Sequence, residues 1–183
     1  MITIISESEI KQGSEEWHRL RNLHLTGTDA IKLLRGHSPK EILAKKAKES
    51  NSFSGNFWTK RGHLLEDESK EIYSEIRTPI TNAGFIINDK YPHIGYSPDG
   101  LVNTDGFVEC KSFGEKHHLE VIKNLSQEII AQTQWGFFIT ERDWCDLLLY
   151  NPDIPDDDMA YVIKRLYPIP EIQEKFKKLL ESC

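Results

Sequence analysis

The chain has 183 residues, 38% of them apolar, with 23 Lys and Arg against 29 Asp and Glu for a formal charge of −6. That length suits one domain, residues 1–183, with a real core, and no run approaches the roughly 18 uninterrupted apolar residues of a membrane helix. The acidic balance argues against a protein that coats DNA, because phosphate binding draws on Lys and Arg, but it leaves room for an enzyme with carboxylates for metal and a local basic track.

Met1 to Glu7 has neither a basic leader nor a long apolar segment, so a soluble cytoplasmic protein is expected, in a bacterium or a phage-infected cell. Cys110, Cys145 and Cys183 are widely spaced and include no CxxC pair, which suggests neither a disulfide framework nor a structural zinc site.

In chain order, Ser14 caps a short helix whose first residues, Glu15 and Glu16, suit the positive end of its dipole. Thr26 to Gly36 supplies capping hydroxyls, apolar residues at helical spacing and a terminating Gly, and predicts a second helix. Ser38-Pro39-Lys40-Glu41 opens a third, running to about Glu49, and Asn51 to Gly55 reads as a loop. From Trp58 to Ile76, apolar residues recur every three or four positions, with Glu66 beside the stripe. Strands are expected at Gly84–Ile87, Ile94–Tyr96 and Gly106–Lys111, then a long helix over Leu119–Ile139. Strands at Trp144–Tyr150 and Tyr161–Tyr167 and a helix over Pro170–Leu180 complete the order. The fold class is mixed α/β with a central mixed sheet flanked by helices.

The chemistry concentrates in Ser97-Pro98-Asp99-Gly100 and Gly106-Phe107-Val108-Glu109-Cys110-Lys111, a P-D-x9-E-x-K pattern. Alternation places Glu109 and Lys111 on one face of a strand, and a β-turn brings Asp99 beside them. Two converging carboxylates form a hard-oxygen site suited to Mg²⁺ or Mn²⁺, which lowers the pKa of a bound water and offsets charge on a reacting phosphate. Lys111 could orient or help deprotonate that water. Alone, Pro-Asp-Gly is also a common turn, and Glu-x-Lys also describes a solvated strand face.

Further segments add specificity. Gln12-Gly13-Ser14-Glu15-Glu16-Trp17-His18-Arg19-Leu20-Arg21, Thr26-Gly27-Thr28-Asp29, Arg61-Gly62 with Leu65-Glu66 and Tyr73, the Ser97–Lys111 segment, and Ala131-Gln132-Thr133-Gln134 followed by Trp144-Cys145-Asp146 and Tyr150-Asn151-Pro152 stand in one order. Together they resemble the lambda exonuclease (YqaJ-like) family of the PD-(D/E)xK nuclease superfamily over nearly the whole chain.

The resemblance implies a metal-dependent exonuclease on double-stranded DNA ends, with 5′ to 3′ polarity, leaving 3′ single strands for an annealing recombinase in phage-type recombination. It implies Asp99 and Glu109 as metal ligands, with the Cys110 backbone carbonyl, Glu66 as a ligand of a second metal or the holder of a coordinated water, Lys111 as the residue positioning the water, and Gln132 hydrogen-bonding in the active site. Arg21 and Thr28 resemble the pair that grips the 5′-terminal phosphate, a guanidinium fork and a hydroxyl beside a helix N-terminus; Thr28 as a simple helix cap is the alternative. A homo-oligomer, a ring of three subunits around DNA, is implied as well.

Two other readings share much of this pattern: a PD-(D/E)xK endonuclease of restriction type, and a non-catalytic DNA-end-binding module that keeps the fold. The complete set Glu66, Asp99, Glu109 and Lys111 counts against the binding module. An iron-sulfur nuclease is set aside, because three scattered cysteines cannot supply four thiolates. Trp17, Trp58, Trp135 and Trp144 read as core residues rather than base-stacking platforms. His117 and His118 read as a solvated helix start, and Asp153 to Asp158 as a solvated loop.

Overall fold

The computed structural model describes residues 1–49, 57–91 and 93–181. The expected loop at Asn51–Gly55, the side chain of Trp58 and Cys183 lie outside the described residues.

Strand β1 (Ile2–Ser6) pairs antiparallel with β2 (Ala83–Asn88), and β2 pairs antiparallel with β3 (Gly95–Tyr96). A second sheet runs β4 (Gly100–Val102), β5 (Gly106–Lys111), β6 (Trp144–Tyr150), β7 (Tyr161–Leu166). In it β5 and β6 are parallel and the outer pairs antiparallel. The mixed α/β class is as the sequence implies, but the strands are divided between two sheets rather than gathered in one. The chain passes from one sheet to the other at Ser97-Pro98-Asp99, between β3 and β4.

A parallel pair needs a long crossover, and two helices supply it: α5 (Glu115–Lys123) and α6 (Gln127–Thr140). One continuous helix over Leu119–Ile139 was expected. The break falls at Asn124 to Ser126, where Ser126 leaves the helical region and its hydroxyl accepts from the Ile129 N–H at 3.3 Å. A cap that satisfies an orphan N–H competes here with helix continuation.

Of the other helices, α1 (Glu15–Leu23) is capped by Ser14, α3 (Pro39–Glu49) begins at Pro as expected, and α8 (Pro170–Glu181) closes the fold. The second expected helix is shorter: Gly27–Asp29 form a 3-10 turn before α2 (Ala30–Leu34). The turn is tightened by Asp29, whose Oδ2 accepts from the Thr26 N–H at 3.1 Å and from the Thr26 hydroxyl at 3.2 Å. In the acidic loop, Asp157–Ala160 form a short helix, α7, and Asp153 pairs with Arg61; that segment is therefore only partly a solvated loop. His118 departs from expectation as well. It is fully buried, with Nε2 2.8 Å from the Met159 carbonyl oxygen, whereas His117 is exposed beside Glu120.

The strands β5 and β6 are covered on both faces, which explains their near-continuous apolar character. Val108 and Leu148 pack with Tyr73 of α4 (Phe57–Ile76) on one side. Phe107 and Cys145 join Trp135 and Tyr96 in the main core, and Leu147 and Leu149 pack with Val121 and Ile129. Trp135 is core, as expected. Trp17 and Trp144 are half-buried and polar-bonded, and the Arg165 guanidinium lies 3.9 Å over the Trp144 ring. Among the described residues no helix is long and apolar enough to cross a membrane.

Candidate functional site

Alternation along β5 sends Phe107, Glu109 and Lys111 toward α6, and Val108 and Cys110 toward α4. Glu109 is therefore carried into the interior, where it is 1% exposed. A carboxylate there must be paired and hydrogen-bonded, and both of its oxygens are. Lys111 Nζ donates to Oε1 at 2.6 Å, the Gln132 amide of α6 donates to the same oxygen, and the Tyr96 hydroxyl of β3 donates to Oε2.

Asp99 enters from the passage between the sheets. The hairpin β4–β5, in register at Gly100↔Val108, returns the chain so that Asp99 Oδ2 accepts from the Cys110 N–H at 2.6 Å. Burial, then the charges of Glu109 and Glu66, push the Asp99 carboxyl well above the usual carboxylate range, against the pull of Lys111 and the Cys110 N–H. Burial disfavours the charge on Lys111, but Glu109 and Asp99 outweigh it and raise its pKa above the ordinary value. In this arrangement Lys111 is held as a cation that donates to Glu109.

Glu66 arrives from the other side of β5. It shares one face of α4 with Ser69, Lys70 and Tyr73, and Lys70 Nζ lies 3.1 Å from its Oε1. Burial works against the Lys70 charge, but Glu66, and more weakly Asp99 and Cys110, raise its pKa. Glu66, Asp99 and Glu109 thus share one electrostatic neighbourhood at the end of β5. Among the described residues no three His, Cys, Asp or Glu side chains gather as a ready-made metal cage; each carboxylate is instead held by a donor of this chain. The donor set nevertheless fits a hard divalent cation. Carboxylate oxygens come from Asp99, Glu109 and Glu66, with the Cys110 carbonyl next to Glu109 in the chain, and burial, then the charges of Glu109 and Glu66, holds the Asp99 pKa up.

Arg21 stands in the field of this cluster, and Thr28 follows Gly27, which lies against Gln132 and Tyr96. The Arg21 guanidinium lies 4.4 Å from the centre of the Trp17 ring. Burial lowers its pKa, while Asp29, Glu109, Asp99 and Tyr96 act in the opposite sense, so it stands in the field of the same acidic groups. Thr28 is exposed on the 3-10 turn, its hydroxyl 3.2 Å from that of Thr26. Buried Asp29 anchors the turn through Lys46, 2.6 Å away, and Lys32, 3.0 Å away.

Four supporting residues escape sequence reasoning. Tyr96 looks like a core aromatic on a short strand. Gln12 donates to the carbonyls of Ala83 and Pro98, each at 2.9 Å, and Trp17 Nε1 donates to the Ser97 hydroxyl at 2.8 Å, so the N-terminal motif holds the segment that presents Asp99. Arg142 donates to the carbonyls of Val102, Asn103 and Gly106 at 3.2, 3.1 and 2.6 Å, and so clasps the turn of the β4–β5 hairpin. The sole signal for Gln12 and Trp17 was their membership of the opening motif. Gln134, by contrast, is structural: its amide donates to the Tyr167 carbonyl at 2.9 Å and accepts from the Ile169 N–H at 2.7 Å.

Comparison with known proteins places the fold among exonucleases of known structure. Among solved structures, the chain is similar to LHK-Exo in complex with dAMP, with a TM-score of 0.81 and 26% identity over 92% of this chain and 90% of that one. A second structure of the same protein, an alkaline exonuclease from Laribacter hongkongensis, matches with a TM-score of 0.74 and 26% identity over 92% of both chains. A phage-related exonuclease from Haemophilus somnus 129PT shares the fold, with a TM-score of 0.58 and 14% identity over 90% of this chain and 93% of that one. No curated protein matches the chain. The model of the YqaJ-like viral recombinase domain matches residues 16–143, a span that holds every residue of the cluster around Glu109, and the chain belongs to that family.

Proposed function

We propose that this chain, residues 1–183 acting as one nuclease domain, is a Mg²⁺-dependent exonuclease, able to use Mn²⁺, that digests double-stranded DNA from its ends. We assign it 5′ to 3′ polarity, leaving 3′ single-stranded ends for a recombinase that anneals single strands, in the cytoplasm of a bacterium or phage-infected cell. The observation that carries this reading is the convergence of Asp99, Glu109, Lys111 and Glu66 from three separate elements at the end of β5. The similarity to an alkaline exonuclease over 92% of the chain supports it.

Asp99, Glu109, the Cys110 carbonyl and Glu66 would hold the cation. When bound, the cation supplies an acidified water and offsets charge on the reacting phosphate. The chain's own residues do the rest. Lys111, a cation held by Glu109, donates to the attacking water or to a phosphate oxygen. Gln132 and Lys111 fix which oxygen of Glu109 faces the site. Arg21, braced on Trp17, and Thr28 bind the 5′-terminal phosphate and so set the scissile bond at a fixed distance from the carboxylates. A ring of three subunits would keep the duplex enclosed between successive cuts.

The test is digestion of linear duplex DNA bearing one labelled 5′-phosphorylated end, in Mg²⁺ or in EDTA, beside a nicked circle and Lys111→Ala. Mg²⁺-dependent loss from the 5′ end with the circle intact and the variant inactive is the expected result. Cutting of the circle would instead indicate an endonuclease, and binding without digestion an end-binding module.

A further inference from the structure

The ring of Tyr96 is held on several sides by parts of the site that are remote in sequence. Its hydroxyl donates to Glu109. A Cβ placed on Gly136 of α6 would come within 2.9 Å of its Cζ, so only a glycine lets α6 approach that closely. On another edge lies the 3-10 turn: a Cβ on Gly27 would stand 3.2 Å from Tyr96 Cε2 and 2.9 Å from Gln132 Cγ. Gly27 therefore packs against both uncharged side chains that hold the Glu109 carboxylate, one on each oxygen. Gly27 is also the immediate neighbour of Thr28, in a turn locked by Asp29 and Lys46.

We propose that Tyr96 is a positioning residue for Glu109, and that Gly27 couples the Thr26–Asp29 turn to that carboxylate, so that occupancy of the turn by a DNA end and cation binding at Glu109 reinforce each other. This rests on the metal-dependent reading above. The physical basis is that close-packed contacts transmit displacement: a turn settled on a terminal phosphate presses Gln132 and Tyr96 into the arrangement that presents Glu109, and the coupling is reciprocal by linkage. Neither residue is asked to touch substrate or cation.

The experiment measures Mn²⁺ affinity of the full chain calorimetrically, without DNA and with a short duplex of nuclease-resistant phosphorothioate linkages bearing a 5′-phosphate or a 5′-hydroxyl. Thermal melting in EDTA serves as the structural control. Tyr96→Phe is expected to weaken Mn²⁺ binding roughly 10-fold or more, the scale of losing a partner of a ligand, while melting as a folded protein. Gly27→Ala is expected to weaken it about fivefold although Gly27 offers no ligand, and the two changes combined should do less than the product of each. In the wild type, the 5′-phosphate duplex tightens Mn²⁺ binding more than the 5′-hydroxyl duplex, and Gly27→Ala shrinks that difference. Wild-type Mn²⁺ affinity retained in folded Tyr96→Phe overturns the inference and leaves the nuclease reading standing. No Mn²⁺ binding by the wild type overturns both. Should Gly27→Ala not fold, Tyr96→Phe decides the positioning role, and equal tightening of Mn²⁺ binding by the two duplexes overturns the coupling.

Discussion

The indole of Trp17 donates a 2.8 Å hydrogen bond to the hydroxyl of Ser97, two residues before Asp99 and far away in sequence. Helix α1 is thereby tied to the segment that carries a candidate ligand. Trp17→Phe keeps most of the apolar contact and loses that bond. Stability should fall by about 1 kcal/mol, the net worth of one such bond, as read by urea unfolding. Turnover should fall by more than stability explains, because Asp99 loses one of its restraints.

Removing Lys111 has two consequences. Lys111→Ala deprives the proposed reaction of its donor and should lower turnover by roughly 100-fold or more. It also leaves Glu109 without its cation at a site 1% exposed, so the melting temperature in EDTA should drop. Lys111→Arg, which keeps charge but changes shape, should restore the melting temperature more than the turnover. Equal recovery of both would remove Lys111 from the reaction and leave it a structural counter-ion.

Arg21→Ala and Thr28→Val are predicted to act on the substrate's end rather than on hydrolysis. The ratio of digestion rates for 5′-phosphorylated and 5′-hydroxyl duplexes should collapse toward one, with a rise in KM larger than the loss in kcat. A ratio unchanged by both substitutions would place the terminal phosphate elsewhere.

Asp29 gives the fold a dependence on acid. Burial raises its carboxyl pKa, but the charge and hydrogen bond of Lys46, with Lys32 and the Thr26 N–H, outweigh burial, and the folded value lies below the ordinary one. A depressed carboxyl contributes stability that is present above its unfolded pKa of about 4 and is lost as pH falls through the folded value. Denaturation midpoints should therefore decline below about pH 4 more steeply in the wild type than in Asp29→Asn, which has already lost the contribution at neutral pH.

Away from the site, buried Asp146 accepts from Arg165 twice at 2.8 Å and from Tyr73 at 2.7 Å. Arg165→Leu removes the cation paired with it. Since the Arg165 side chain is 45% exposed, the cost should be about 2 kcal/mol rather than that of a fully buried pair. Turnover below the melting transition should be unchanged.

The parts of the site that could be read from the sequence are those made by local geometry. Asp99, Glu109 and Lys111 are related by one hairpin and by strand alternation, so spacing alone brings them together. The harder parts depend on pairings distant in sequence. Ile2-Thr3-Ile4-Ile5 has strand composition, yet nothing local says that its partner is Ile86 and its neighbours. Without that pairing, the first sheet and the role of Tyr96 stay hidden. The Asn124–Ser126 break was masked by apolar residues on both sides that continue a helical rhythm, although Ser126 is a good cap. His118 reads as solvated because its burial depends on α7, formed by residues some forty positions later.

The division of the site between two sheets bears on when the protein acquires its chemistry. Tyr96 belongs to the first sheet and Glu109 to the second, and β5 becomes an interior strand only when β6, Trp144–Tyr150, lies beside it. A polypeptide still emerging from the ribosome, or one cut short before Tyr150, has the acidic residues but no framework to orient them. The framework that orients Asp99 and Glu109 is therefore complete only with the last third of synthesis, and the proposed chemistry is coupled to completion of the second sheet.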